Sequence, residues 1–346
     1  MSELPQRQLG TSGLRVSEIC LGTMMFGDQT GEDEARRIAD HAAERGVNFI
    51  DTADVYCEGR SEEITGRLIK SNRHHWTLAT KVGAPYRGAI AEPRSGGLSR
   101  RWLMLACERS LRRLSTDHID IYYVHKTDET VPWSDIVCSF GDLIRQGKIR
   151  YWGLSNLRAW HIPEIVHQCR NQNVPLPAAL QPYYNIMNRQ PETELLPAAR
   201  EYGLGIVPYS PIARGILSGK YRPGETPPEG SRAGRKDARM LQSEWRPESI
   251  EIAQTLQAHA EAKGATLIDF AVSWVLANRA ISSVIAGPRT FAQWENYFGY
   301  RNYRWTGEDE ALVDSLVAPG HPSTPGYNDP SYPLTGRFSS LIFGQS

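Results

Sequence analysis

The stretch Phe49-Ile50-Asp51-Thr52-Ala53-Asp54-Val55-Tyr56 carries an apolar strand straight into an aspartate, with a tyrosine five residues further on. Two further runs end in the same manner. Trp76-Thr77-Leu78-Ala79-Thr80 leads into Lys81, and Ile119-Asp120-Ile121-Tyr122-Tyr123-Val124 leads into His125. Asp, Tyr, Lys and His at successive strand ends can serve a single proton-transfer site if those ends meet on one rim. A barrel of parallel strands brings its strand C-termini together in that way.

Working outward, short β-branched runs at 18–22, 48–51, 76–81, 119–125, 150–155, 178–182, 205–209 and 282–286 read as strands. Helical patterns lie between them at 32–45, 61–70, 99–114, 133–146, 158–170 and 193–202, then at 248–263 with 266–277, and at 291–298. This alternation predicts an α/β fold, a (β/α)8 TIM barrel with parallel pairing. Residues 8–16 predict an N-terminal hairpin ahead of the barrel, with Gly and Ser at its turn. Gly46 and Gly203 sit where left-handed C-caps belong, and Ser61 and Ser99 where N-caps belong. Long Gly/Pro-rich loops at 84–98 and 210–247 follow strands, which places them on the rim that would carry a site. The whole chain, 1–346, is expected to be one domain with a C-terminal extension from about 318.

Composition excludes several classes of function. The chain has 346 residues, and its 39 Lys and Arg balance its 39 Asp and Glu, so no net charge draws it to nucleic acid or an anionic membrane. No apolar run reaches the roughly 18 residues of a membrane helix. The N-terminus lacks the pattern of a signal peptide. Five cysteines without a C-x-x-C pair read as free thiols, and the expected location is the cytoplasm. The basic helix 99–114, with Arg100, Arg101, Arg109, Arg112 and Arg113, reads as a solvated outer face, and the His74-His75 pair lacks companion metal ligands.

The predicted rim then carries Asp51, Lys81, His125, Ser155-Asn156, Gln181, Tyr209-Ser210 and Gly287 on successive strand ends. Each alone has an ordinary reading as a cap, a satisfied histidine or rim packing. Together they crowd polar chemistry onto one edge. With Leu21-Gly22-Thr23, Ala79-Thr80-Lys81, Tyr123-Val124-His125, Gly153-Leu154-Ser155-Asn156, Gln181-Pro182-Tyr183-Tyr184-Asn185, Tyr209-Ser210-Pro211 and Ile285-Ala286-Gly287-Pro288-Arg289-Thr290, the chain resembles the aldo-keto reductases over about residues 6–300. In particular it resembles the branch related to potassium-channel β subunits.

The resemblance implies NADPH-dependent reduction of an aldehyde or ketone, with Tyr56 as proton donor. Lys81 is the implied ammonium that lowers the tyrosine's pKa, Asp51 its partner, and His125 the group that orients the substrate oxygen. No G-x-G-x-x-G follows a strand, so a Rossmann site is not expected. The implied nicotinamide contacts are Gly22, Thr23, Met24, Asp51, Ser155, Asn156 and Gln181, with Tyr209 stacking on the ring. The implied pyrophosphate segment runs from Ser210 through Pro211, Ile212, Gly215 and Leu217 to Lys220. Arg232 falls at an adenine or phosphate position, and Arg289 at the 2′-phosphate, which suits a guanidinium fork. Gln293 fits the adenine pattern; Glu295 comes one residue early, so Asn296 is expected in the adenine role. Met25, Phe26, Tyr86 and Lys126 are substrate-pocket candidates, with core packing the alternative for Met25 and Phe26. The tail tyrosines Tyr327 and Tyr332 belong either to a lid or to a surface wrap. The expected substrate is a small neutral carbonyl compound, either an aromatic or aliphatic aldehyde or a ketone on a ring such as a keto-sugar or alicyclic metabolite, without nucleic-acid or membrane partners. The rival reading is a cofactor-binding regulatory subunit on the same fold; the channel subunits lack a histidine at the position of His125.

Overall fold

The computed structural model of the chain describes residues 4–86 and 95–332. Strands β1 (Gln6–Gln8) and β2 (Arg15–Ser17) pair antiparallel as the expected hairpin. Then come β3 (Ile19–Gly22), β4 (Phe49–Asp51), β5 (Thr77–Val82), β6 (Ile119–Val124), β7 (Ile149–Ser155), β8 (Ala179–Gln181), β9 (Gly205–Ile206) and β10 (Val284–Ala286). These eight form one parallel sheet in the order β10-β3-β4-β5-β6-β7-β8-β9. The regular ladder of β9 stops at Ile206, short of the expected 209, although Val207 and Tyr209 still donate to the Leu180 and Pro182 carbonyls; Pro182 has no N–H to return a bond to β9. Isolated parallel bridges, Ile206 to Ile281 and Tyr209 to Ile285, carry the barrel to closure. They include Ser282 N–H to the Ile206 carbonyl at 2.8 Å and Ile285 N–H to the Pro208 carbonyl at 3.0 Å.

Alternation along each strand decides what faces inward. Phe49, Ala79, Ile121, Tyr123, Ala179 and Val207 form an inner core, which Leu9 and Val16 of the hairpin join at one end. Ile50, Leu78, Tyr122 and Leu180, one residue out of step, pack instead against the helices. Two residues beyond Phe49, Ala79, Tyr123 and Ala179 come Asp51, Lys81, His125 and Gln181. The same pleat that fills the barrel with apolar side chains therefore aims polar ones into its upper end. Gly153 makes room for this packing. A Cβ there would lie 2.4 Å from Tyr123 Cε1 and 3.0 Å from the Ala179 carbonyl oxygen.

The helices are α1 (Glu32–Glu44), α2 (Arg60–Ile69), α3 (Arg100–Leu114), α4 (Trp133–Arg145), α5 (His161–Gln172), α6 (Leu195–Glu201), α7 (Ala238–Ser243), α8 (Pro247–Ala262), α9 (Leu267–Ala277), α10 (Phe291–Glu295) and α11 (Gly307–Leu316). Gly46 and Gly203 hold φ of 80° and 73°, and Ser99 Oγ caps α3, as expected. Ser61 does not cap α2. It sits inside the helix, where its buried Oγ donates to the Thr23 carbonyl at 2.7 Å and bonds the Thr52 hydroxyl at 2.9 Å. Arg113 is no solvated outer arginine, because its Nε reaches the fully buried Glu62 at 2.6 Å. Helices α7 and α11 were not expected; α11 opens with a Thr306/Asp309 capping box after an aromatic-rich turn that masks its start.

Gly153→Ala should destabilise the barrel by about 1–3 kcal/mol through overpacking, read as a lowered Tm. Gly307→Ala, where an added Cβ meets nothing within 4 Å, should leave Tm at or above the wild-type value. Equal Tm values for the two variants would contradict the packing role of Gly153.

Candidate active site

The strand ends of β4 and β5 meet in a buried ion pair. Lys81 Nζ donates to Asp51 Oδ1, to the Thr52 carbonyl oxygen at 2.7 Å and to the Tyr56 hydroxyl at 3.2 Å. An ammonium has three protons to give, and all three are engaged. The lysine is 0% exposed and Asp51 2%. The second carboxylate oxygen, Asp51 Oδ2, accepts from Gln181 Nε2 at 2.9 Å. Burial pulls the ammonium's pKa down, but Asp51 and Tyr56 more than offset this and hold it above its ordinary value. Lys81 therefore keeps its charge.

Tyr56 is presented by a tight turn. Ala53 accepts its N–H at 3.1 Å, and Cys57, Glu58 and Gly59 all take positive φ (48°, 57° and 90°). Consecutive left-handed non-glycine residues cost energy and occur where the surroundings over-determine the backbone. Here Cys57 Sγ is tied to the Met24 carbonyl at 3.2 Å, and α2 begins at once. Burial raises the Tyr56 pKa, and Lys81 pulls it down. The expected lowering by Lys81 is present, but burial outweighs it. The His125 ring meets Tyr56 edge-on, with centroids 5.8 Å apart. Burial and the Lys81 charge hold this imidazole far below the ordinary histidine range, so it is neutral. Its Nδ1 is buried without a hydrogen-bond partner.

The expected nicotinamide contacts form a linked chain beside this group. Tyr209 Oη donates to Asn156 Oδ1 at 2.8 Å, and Asn156 Nδ2 donates to the His125 carbonyl and to Ser155 Oγ, both at 2.9 Å. Ser155 Oγ donates to the Gln181 carbonyl at 2.8 Å. Gly22 ends β3 beside Ile285, and Thr23 Oγ1 donates to the Asp51 carbonyl at 3.1 Å. Met24 is half-buried at this edge.

The segment after β9 winds through positive φ at Ser210, Ala213, Arg214 and Gly215. Pro211 is buried and Ile212 half-buried, and the Ile212 carbonyl accepts from both Gly215 and Leu217. Leu217 is fully buried and packs in the core. Beyond it, Lys220, Arg232, Arg235 and Arg289 cluster. Burial first, then mutual repulsion, lowers the pKa of Lys220, Arg232 and Arg289. Arg232 lies 3.8 Å from Asp237, and Arg289 is braced by the Gly230 carbonyl at 3.2 Å. A set of cations that push on one another suits an anionic ligand, and the phosphates of a dinucleotide fit it. Gln293 is engaged within the protein, its Oε1 accepting the Arg289 N–H at 3.0 Å, while Asn296 is exposed and Gly287 lies open at the rim.

The substrate candidates divide. Lys126 is exposed on the rim, with its ammonium 5.7 Å from the centre of the Tyr332 ring. Phe26 is fully buried in the main core and Met25 is 7% exposed, so packing holds both. Tyr86 is a core residue as well, edge-on to Trp102 at 5.0 Å. Residues 87–94 of the 84–98 loop, which was expected on the rim, lie outside the described residues.

Several side chains at the rim escaped the sequence reading. Asp329 forms a two-pronged ion pair with Arg239, and Ser331 Oγ accepts from the same guanidinium at 3.0 Å. Arg158 donates to the Tyr332 carbonyl at 2.7 Å. The stretch 318–332 is thus tied down next to Lys126 and Tyr209, but its residue types alone show no period and no motif. Arg214, 11% exposed and 3.9 Å from the fully buried Glu244, stood within the noted 210–220 segment. Its side-chain direction follows from the left-handed backbone there (φ 52°), which the sequence does not announce.

Among the described residues, no helix is long and apolar enough to cross a membrane, and no cluster of three or more His, Cys, Asp or Glu offers a metal site.

The family model described as Aldo/keto reductase family matches residues 18–318. A Bacillus subtilis (strain 168) protein named as an uncharacterized oxidoreductase, YrpG, is 37% identical over 299 residues, covering 82% of this chain and 87% of the relative. Two plant proteins, from Oryza sativa subsp. japonica and Arabidopsis thaliana, carry the name probable voltage-gated potassium channel subunit beta. Each is 33% identical, covering 81% and 83% of this chain and 86% and 88% of the relatives. A barrel with Asp51, Tyr56, Lys81 and His125 on one rim, matched from residue 18 to residue 318, belongs to the aldo/keto reductase family.

Proposed function

We propose that this protein is an NADPH-dependent carbonyl reductase acting on an aldehyde or ketone, with Tyr56 as the proton donor. The observation that carries the reading is the buried Lys81 ammonium, bound by Asp51 and donating to the Tyr56 hydroxyl at 3.2 Å. A bound reduced nicotinamide would supply a hydride to the carbonyl carbon. The residues of the chain then handle the oxygen, which gains negative charge as the carbon gains hydrogen. Tyr56 holds its proton at neutral pH and lies within reach of the Lys81 charge, which favours the phenolate left behind. Neutral His125 can donate one further hydrogen bond to the same oxygen. Asp51 keeps Lys81 from drifting, and Gln181 fixes Asp51. Ser155, Asn156 and Tyr209 would hold the nicotinamide end, and Lys220, Arg232 and Arg289 the phosphates.

The likeness to proteins named as channel subunits favours a second reading, a cofactor-binding regulatory protein with little turnover. The neutral, unpartnered His125 beside Tyr56 supports the enzyme instead. An absorbance assay of NADPH and NADH oxidation against aldehydes and ketones decides between them; no oxidation with any carbonyl would favour the regulatory reading.

Tyr56→Phe should nearly abolish reduction while leaving NADPH affinity in place, because only the transferable proton is lost. Retention of most of the activity would remove Tyr56 from its role. Lys81→Met should be comparably severe, since it strips the phenol of its cation and strands a buried carboxylate.

Arg289→Ala should erase most of a preference for NADPH over NADH. A charged contact to a phosphate is worth about 1.5–3 kcal/mol, or roughly ten- to a hundred-fold in Kd. Equal wild-type Kd values for the two nucleotides would exclude the contact.

The pH profile of kcat should lack an acid limb between about pH 5.5 and 7.5, because His125 is held neutral well below the usual histidine pKa near 6.5. The same shift gives a sign for stability. The folded form disfavours the imidazolium, so this contribution is complete above the unfolded value and declines as pH falls below it. A limb near pH 6.5 that vanishes in His125→Gln would contradict the depressed pKa.

A further inference from the structure

Of the cations that cluster beyond β9, Lys220, Arg232 and Arg289 have places on the dinucleotide in the reading above. Arg235 has none, and the proton-transfer chemistry does not use it. Its setting is chemically particular.

The run Pro228-Glu229-Gly230-Ser231-Arg232-Ala233-Gly234-Arg235 folds into a tight ledge. Ser231 N–H donates to the Pro228 carbonyl at 3.1 Å, and Arg235 N–H donates to the Ser231 carbonyl at 3.0 Å. Ser231 is buried, and its Oγ accepts the Gly234 N–H at 3.0 Å. Gly230 takes a φ of 70°, and a Cβ on Gly234 would lie 2.5 Å from the Pro228 carbonyl oxygen, so both positions call for glycine. The buried Tyr221 hydroxyl accepts the Ala233 N–H at 3.5 Å and ties the ledge down. A backbone braced in this way presents its side chains in fixed places.

Arg235 Nη1 donates to the Gly230 carbonyl oxygen at 2.7 Å. The same oxygen accepts from Arg289 Nη1 at 3.2 Å, although Arg289 lies on the loop after β10. Two guanidinium groups bonded to one oxygen are held within about 6 Å of each other. Arg289 is fixed from its own side as well. Its N–H is taken by Gln293, and its carbonyl accepts from Thr30 Oγ1 at 2.9 Å.

Like charges so close repel, and a carboxylate between them would relieve the repulsion. Among the described residues neither arginine has an ion-paired carboxylate. After burial, the charge of Arg235 is the largest influence that pulls the Arg289 pKa down. A carbonyl oxygen offers only a partial negative charge and leaves further N–H donors of both forks open. Arg235 is exposed and Arg289 half-buried, so an anion from solvent reaches both. A phosphate monoester answers this pair, because it carries up to two negative charges and has three terminal oxygens that can bond two forks at once. A single carboxylate satisfies one fork only.

We propose that Arg235 is the second arm of a two-arginine seat for the 2′-phosphate of NADPH, shared with Arg289. The choice of nucleotide is then set by two loops, one after β9 and one after β10, which the phosphate joins. The proposal rests on the NADPH reading above for the identity of the ligand.

The test is calorimetric titration of the full chain with NADPH, with NADH, and with adenosine 2′,5′-bisphosphate, which carries the 2′-phosphate and lacks the nicotinamide half. Arg235→Ala should raise Kd for NADPH and for the bisphosphate about ten-fold, the low end for a charged contact because the side chain is exposed. Kd for NADH should stay at the wild-type value. Arg235→Lys keeps the charge without the fork and should recover part of the loss. Arg222→Ala removes another exposed arginine of the same segment, one bonded to Gln254, and should leave all three constants unchanged. An Arg235→Ala variant that weakens NADPH and NADH equally, or weakens neither, overturns the seat and leaves the reductase reading standing. So does an Arg222→Ala variant that weakens NADPH as much as Arg235→Ala does. If the wild type binds NADPH but reduces no carbonyl, the reductase reading falls, and the same constants still decide the seat. A wild type that binds neither NADPH nor the bisphosphate overturns the seat and the cofactor reading together.

Discussion

A fully buried lysine ammonium is the constraint around which the rim of this barrel is arranged. Removing such a charge from water is expensive unless each of its protons finds a partner. Lys81 has its partners in Asp51, the Thr52 carbonyl and the Tyr56 hydroxyl. Two of these lie at the end of β4 and one on the turn that follows it. The neighbouring strand thus supplies almost the whole solvation shell of the ion. Gln181, brought across from β8, completes Asp51. What remains polar and incompletely satisfied is the third partner, a phenol, and the imidazole facing it. Chemistry is to be expected where the polar network stops being complete.

The rest of the architecture serves to keep that network dry and fixed. The apolar inward positions one pleat below it fill the barrel, with Gly153 yielding space to the Tyr123 ring. Behind the strands, Glu62 ties Thr80 to Arg113 of α3, so the strand carrying Lys81 is anchored on its outer face as well. Ser61 does the same for the loops after β3 and β4. The strained turn at Cys57 and Glu58 is tolerable because both of its ends are held. The Arg239–Asp329 pair fastens the C-terminal stretch beside Lys126 and Tyr209.

Much of this was legible from residue order. The strand-to-polar transitions at Asp51, Lys81 and His125 carry both the fold and the site, because strand periodicity and strand-end position are local properties. The C-caps at Gly46 and Gly203 were readable for the same reason. What the sequence hid depends on long-range contact. Ser61 reads as a cap from its neighbours alone, yet two loops distant in sequence claim its hydroxyl. Tyr86 and Phe26 sit in loop-like stretches, and only the packing of α2 and α3 shows that they are buried. Arg113 looks like one of several surface arginines until Glu62 is found beneath it.

The central claim is that Lys81 lowers the cost of ionising Tyr56 against the opposing effect of burial. The direct measurement is a carbon-13 NMR titration of ring-labelled tyrosine, with the Tyr56 signal assigned by its loss in Tyr56→Phe. The account predicts that Tyr56 ionises at a higher pH in Lys81→Met than in the wild type. A midpoint that is unchanged or lower in Lys81→Met would contradict it.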